Sequence, residues 1–244
     1  MLAAPFQSFI LISTPLIRFH RQFDPHKIRL LIFDLDGTLI DSRLDLIHSV
    51  NATLRYFDKP ELPGDLIATY VGDGAPMLVR RALGDSADDS LVARALEYFL
   101  GYYRIHKLDH TVVYDGIPQT LATLTMPQNG FQRKMAILSN KPVNPSRDIT
   151  HALGLGGYFV RIYGGNSFQT KKPDPEGAQK ILEETSCLAE ETIIIGDSAN
   201  DTLTGVNAGL WTCGVTYGFA PHTLETPLPD VLVDSPRELA ELFH

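Results

Sequence analysis

The chain reads as an α/β protein: a parallel sheet with helices on both faces, interrupted after its first strand by an all-helical insert. Three observations predict this. Continuous apolar runs, such as Leu30–Phe33 and 192–195, have the character of strands buried on both faces. From Tyr114 onward such runs alternate with helical patterns, the order that a parallel sheet requires. Between Ser42 and Asp109 no strand pattern occurs, and apolar residues recur at helical spacing instead.

Residues 1–27 precede the first strand and are expected to be an extension outside the core. Their apolar run, 9–17, is too short to span a bilayer, and Arg18 and Arg21 follow it, whereas a secretory signal carries its basic residues in front. The first core strand runs into Asp34-Leu35-Asp36-Gly37-Thr38-Leu39-Ile40-Asp41-Ser42. Leu44, Leu46, Ile47, Val50, Leu54 and Phe57 then mark a helix that Pro60, Pro63 and Gly64 end. A second helical pattern covers 66–71, Gly72-Asp73-Gly74-Ala75-Pro76 reads as a turn, and helices over 77–83 and 91–106 follow. Strands are expected at Lys134–Leu138, 159–163, 192–195, Trp211–Val215 and 230–233, with helices such as 175–185 between them. The expected division is a core of 28–43 and 114–244 with an insert of 44–113.

Composition excludes some classes of function. The 244 residues are 44% hydrophobic and 20% charged, as in an ordinary globular protein, which sets disorder aside. A net charge of -8 without a Lys/Arg cluster argues against nucleic acid as a partner, and no membrane partner is expected. Cys187 and Cys213 show neither metal-ligand spacing nor a disulfide framework, which suits a reducing cytoplasm. The eight histidines show no pair at metal-binding spacing along the chain.

The expected strand ends carry the chemistry. Asp34 and Asp36 stand at the carboxyl end of the first strand, where ligands sit in an open α/β sheet. Ser139-Asn140-Lys141-Pro142 follows the second core strand, Lys171-Lys172-Pro173-Asp174-Pro175 opens the helix after the third, and Gly196-Asp197-Ser198-Ala199-Asn200-Asp201 follows 192–195. Taken singly, each has an ordinary explanation: Asp-Gly as a turn, Ser139 as a cap, Lys172 as a solvated loop residue, Asp197 and Asp201 as helix-start charges. Taken together they bring acids, a hydroxyl and a lysine to one edge. Clustered carboxylates require a hard cation, for which Mg²⁺ is suited, and a lysine and hydroxyl beside it would cradle an anion such as phosphate.

These four motifs resemble those of the haloacid dehalogenase-superfamily phosphatases, over essentially all of 28–244. Finer matches to the phosphoglycolate phosphatase group lie in Val71-Gly72-Asp73-Gly74-Ala75, Arg81-Ala82-Leu83, Lys171-Lys172-Pro173-Asp174-Pro175 and Gly214-Val215-Thr216-Tyr217-Gly218. Asn166 is a departure, since that group often carries an acid there. The resemblance implies a Rossmann-like core whose helical insert is a cap, and a small phosphorylated substrate, foremost 2-phosphoglycolate. It implies Asp34 as nucleophile and Asp36 as acid and base. Mg²⁺ would be held by Asp34, the Asp36 carbonyl and Asp197, with Asp201 orienting its neighbours. Ser139, Asn140 and Lys172 would bind the phosphoryl group, and Gly74 and Arg81 are the cap's candidates for substrate discrimination. The alternatives are another small phosphate (a sugar phosphate, nucleotide or pyrophosphate), a phosphomutase, or a non-catalytic binding protein. A monomer or homodimer is expected.

Overall fold

The computed structural model describes residues 17–128 and 130–244. Its centre is β2 (Leu30–Phe33), in which all four side chains are buried. Parallel neighbours flank it in matched register: β5 (Lys134–Leu138) pairs Leu30 with Lys134, and β7 (Thr192–Gly196) pairs Leu30 with Thr192. With β6 (Arg161–Tyr163), β8 (Trp211–Val215) and β9 (Val231–Val233), the parallel order is β9-β8-β7-β2-β5-β6.

Side chains alternate across this sheet, so each strand feeds two apolar layers. Leu31, Phe33, Met135, Ile137, Ile193 and Ile195 join one layer, while Leu30, Ile32, Ala136, Leu138 and Ile194 join the other. The first layer is closed by α5 (Ile117–Leu124), α6 (Val143–Ala152) and α9 (Pro236–Leu242), through Ile117, Leu121, Ile149 and Leu239. The second is closed by α7 (Glu176–Thr185), through Ala178 and Ile181, and by α8 (Ala199–Ala208). In α8, Gly205 lies against Ile194 and Thr212 so tightly that a Cβ would collide with both. Full burial of each large aliphatic side chain contributes about 1.5–3 kcal/mol, so the two layers define the register of the sheet.

The insert leaves the core through a two-stranded ribbon of β3 (Ile40–Asp41) and β4 (Val112–Val113), with Ile40 opposite Val113. Between them lie α1 (Arg43–Tyr56), α2 (Gly64–Ala68), α3 (Ala75–Leu83) and α4 (Asp89–His106). At the base of the insert the buried Asp45 carboxylate accepts from the backbone N–H groups of His110 and Thr111, the Thr111 hydroxyl and His110 Nδ1. This ties the two crossings of the chain together.

Residues 18–27 correct the expectation of an extension apart from the core. Arg18–Phe19 forms β1, an antiparallel edge strand on β9. Arg18 pairs with Asp234 and Arg21 with Asp230, at 2.6 and 2.5 Å. Phe23 stacks on Trp211 with ring centres 5.1 Å apart, and Phe19 lies 5.9 Å from Phe23. Two paired residues are too few for a periodic signal, and the ring that Phe23 covers comes from the far end of the sequence. Most of the apolar run 9–17 lies outside the described residues. Among the described residues no helix is long and apolar enough to cross a membrane.

Candidate active site

The sheet delivers its polar residues to one edge. Asp34 follows β2 directly, and its backbone N–H donates to Ile195 O at 2.9 Å, locking it to the neighbouring strand. Gly37 then turns the chain with φ +82°, and a Cβ there would collide with the Asp197 carboxylate. Only glycine suits both demands.

Lys172 links the acids. Its ammonium, 3% exposed, lies 2.9 Å from Asp34 Oδ1 and 2.5 Å from Asp201 Oδ1. Burial works against this charge, but Asp201 and Asp34 outweigh it and hold the lysine above its ordinary pKa. The contact to Asp34 is a close ion pair, and Asp34 Oδ1 has no other polar partner in the structure. The remaining oxygen of Asp201 accepts from the Ser198 N–H and hydroxyl in a capping box that starts α8. Asp201 therefore fixes Lys172 while being fixed itself.

Asp197 is held from the other side. Its Oδ2 accepts from the backbone N–H groups of Phe219 and Ala220, at 2.5 and 3.2 Å. Gly218 approaches so closely that a Cβ would strike Asp197, and Tyr217 donates its hydroxyl to Thr38 O at 3.0 Å. The stretch after β8 thus braces the first motif.

Burial, reinforced by Asp201 and Asp34, pushes the Asp197 carboxyl up to about 8. Burial raises Asp34 to about 6, with Lys172 pulling against it and Asp201 pushing with it. Asp34, Asp197 and Asp201 offer oxygens within 4.8 Å of one another, facing one lysine. An all-oxygen cluster of three carboxyls facing a single lysine fits a hard divalent cation.

The Asp36 side chain lines the same cleft but is not part of this cluster. It accepts from Ser42 Oγ at 2.5 Å, and both its oxygens lie 2.9 Å from Lys141 Nζ. Lys141 belongs to the second motif, and nothing local in the sequence marks its pairing with Asp36. Its burial is offset first by Asp36, and its ammonium sits 4.7 Å from the Tyr103 ring centre on α4. Ser139 and Asn140 are both buried at the cleft, and Asn140 donates to Gly72 O and Lys172 O.

Gly74 lines the same cleft, with φ +82° and Asn140 O where a Cβ would stand. The Arg81 guanidinium donates to Asp73 Oδ2 at 2.5 Å and Tyr70 O at 3.2 Å, so it is engaged by the turn that Gly74 closes. Asn166 accepts from Val143 N–H at the start of α6, a capping contact that needs no charge. Distance along the chain also hid one grouping: His48 and His110 rings lie 5.0 Å apart beside Asp45.

This fold and site define an α/β enzyme whose chemistry sits at the carboxyl edge of its sheet. The chain belongs to the haloacid dehalogenase-like hydrolases, whose family model matches residues 31–215. It is 37% identical over 195 residues to a phosphoglycolate phosphatase of Colwellia psychrerythraea, covering 78% of this chain and 84% of that one. It is 35% identical over 224 residues to a phosphoglycolate phosphatase of Vibrio parahaemolyticus, covering 88% and 96%. A crystal structure described as a predicted phosphoglycolate phosphatase from Haemophilus somnus superposes with a TM-score of 0.82 at 26% identity, covering 89% and 99%.

Proposed function

We propose that this hydrolase is a magnesium-dependent phosphatase that cleaves small phosphomonoesters through an aspartyl-phosphate, with 2-phosphoglycolate as its substrate and glycolate and phosphate as products. The observation that carries this reading is Asp34 Oδ1: buried at the cleft, 2.9 Å from the Lys172 ammonium and without any other polar partner. The names of the relatives support the choice of substrate.

Asp34 attacks phosphorus, and the bond from phosphorus to the ester oxygen breaks with its electron pair on that oxygen. Asp36 gives the leaving oxygen its proton. Ser42 and Lys141 position the Asp36 carboxyl group, which starts this transfer protonated and ends it ionised. In the second half, Asp36 takes a proton from water as that water attacks phosphorus, releasing phosphate and restoring Asp34. The Ser139 hydroxyl and the Asn140 N–H hold phosphoryl oxygens, and Lys172 offsets charge on both the nucleophile and the phosphoryl group. Asp201 keeps Lys172 in place. A magnesium ion held by Asp34, Asp197 and the Asp36 carbonyl would supply further neutralisation of the phosphoryl oxygens. The helical insert is read as a cap that excludes bulk water from the acyl phosphate. Uncatalysed phosphate monoesters are among the slowest of hydrolyses, with accelerations up to ~10²¹, so all these contacts are required together.

The test is phosphate release from a substrate panel of phosphoglycolate, a sugar phosphate, a nucleotide and pyrophosphate, with and without Mg²⁺. Magnesium-dependent turnover that is fastest on phosphoglycolate is the expected result. Turnover without that preference supports a phosphatase of another small ester, and no turnover on any of them overturns the reading.

A further inference from the structure

Lys141 and Tyr103 meet across the boundary between core and insert, and neither is needed to hold the phosphoryl group. Lys141 follows the Ser139-Asn140 pair, whereas Tyr103 reaches down from α4. Both are buried, the tyrosine 3% exposed and the lysine side chain 4%. The Tyr103 hydroxyl is buried at the cleft beside the Lys141 ammonium and closes no well-formed hydrogen bond. A phenol left in that state costs stability, so a group that satisfies it on binding is to be expected. An ammonium has three N–H donors, and contacts to the two Asp36 oxygens leave one for another acceptor.

The charges around the cleft say which acceptor. Among the described residues that line it, Lys141 alone is cationic, while Asp34, Asp36 and Asp197 are acids. The neighbouring wall is apolar, built from Leu46, Leu78, Phe99 and Leu100. A second anionic group on a substrate would be repelled at the acids and unsolvated at the wall. With the Ser139 hydroxyl and the Asn140 N–H taken by the phosphoryl group, Lys141 and Tyr103 offer it a cationic donor beside a hydroxyl.

We infer that Tyr103 and Lys141 form a carboxylate subsite that selects phosphoesters bearing a carboxylate beside the leaving oxygen. This rests on the phosphatase reading, because Asp36 must face the leaving oxygen for the placement to follow. Lys141 touches Asp36 directly, so a carboxylate one carbon beyond that oxygen lies next to Lys141 and Tyr103. The subsite also joins one residue of the insert to one of the core, so it is complete only when the two are together.

The test compares kcat/KM on 2-phosphoglycolate with kcat/KM on 2-hydroxyethyl phosphate, which replaces the carboxylate by a neutral CH₂OH group. Wild type, Tyr103→Phe and Lys141→Met are measured in Mg²⁺. A ratio of rates within one preparation is independent of the folded fraction, so partial misfolding of Lys141→Met does not obscure it. Wild type is expected to prefer the carboxylate ester, and Tyr103→Phe to reduce that preference roughly ten- to a hundredfold, the weight of a hydrogen bond to a charged group. Lys141→Met should reduce it at least as far. An unchanged ratio in both variants, or a wild type that hydrolyses the two esters equally well, overturns the subsite and leaves the phosphatase reading standing. A wild type that hydrolyses neither ester overturns both.

Discussion

Arg81 donates to the Asp73 carboxylate at 2.5 Å, and that carboxylate in turn accepts from Asn200 of the core at 2.8 Å. The arginine therefore acts on the cleft indirectly, by fixing the turn of 72–74 over the core. Lys171, whose ammonium donates to Asp73 O, and Asn140, which donates to Gly72 O, hold the same turn. Arg81→Ala is expected to lower kcat/KM a few-fold, in keeping with about 1 kcal/mol for a half-exposed ion pair. The loss should be equal on phosphoglycolate and on 2-hydroxyethyl phosphate. A loss confined to the carboxylate ester would give Arg81 the role expected from its motif.

The base of the insert should respond to acid. Burial pushes Asp45 up, yet the Thr111 and His110 donors outweigh it and hold its carboxyl below the ordinary value. A carboxyl lowered in the fold adds stability above its unfolded pKa, and that stability is lost as pH falls through the folded value. Asp45→Asn should cost about 1.5–3 kcal/mol at neutral pH, several degrees of Tm. The gap between wild type and variant should narrow on acidification below the ordinary carboxylate range. A gap that is constant with pH would show that the carboxylate charge is immaterial.

Part of this design is legible in sequence and part is not. The runs at Leu30–Phe33 and 192–195 announce themselves because strands buried on both faces need no alternation. Asp34, Ser139, Lys172 and Asp197 are legible as a set because each ends or follows a core strand. Lys141 stands beside Ser139 and Asn140, but its importance comes from Asp36 and from Tyr103, which are distant along the chain. Arg81 is visible as a charge, yet nothing local says that Asp73 neutralises it. The ribbon of β3 and β4 and the edge strand β1 are each two residues long per strand, below any periodic signal.

The edge strand carries a prediction of its own. Removing residues 1–27 should lower Tm by several degrees, since it deletes β1, two ion pairs to the residues on either side of β9, and the ring covering Trp211. Phe23→Ala isolates the last term at about 1–2 kcal/mol. Trp211 is the only tryptophan, so its fluorescence should shift to the red in that variant. An unshifted spectrum with unchanged Tm would show that the segment contributes nothing to the core.

Magnesium binding should release protons. Without the ion, burial and the neighbouring acids hold Asp197 at about 8 and burial holds Asp34 at about 6, so at pH 7 the Asp197 carboxyl is largely protonated. The ion must displace that proton, so affinity should rise with pH up to about 8. Calorimetry in two buffers of different ionisation enthalpy reads the released protons directly. Asp197→Asn should weaken binding and abolish most of the release. Binding that is independent of pH between 6 and 8 would contradict the burial argument, which sets these values near neutrality.

The central claim is that Asp34 becomes covalently phosphorylated. The direct measurement is the mass of acid-quenched enzyme and of its peptides during turnover of phosphoglycolate in Mg²⁺. Wild type is expected to carry one added phosphoryl group on the peptide containing Asp34, and Asp36→Asn to slow both its appearance and its clearance, because the leaving oxygen loses its acid and the water its base. Asp34→Asn should be folded, inactive and unlabelled. Turnover by Asp34→Asn at a rate near wild type, or a phosphoryl group found on any other residue, would contradict the account.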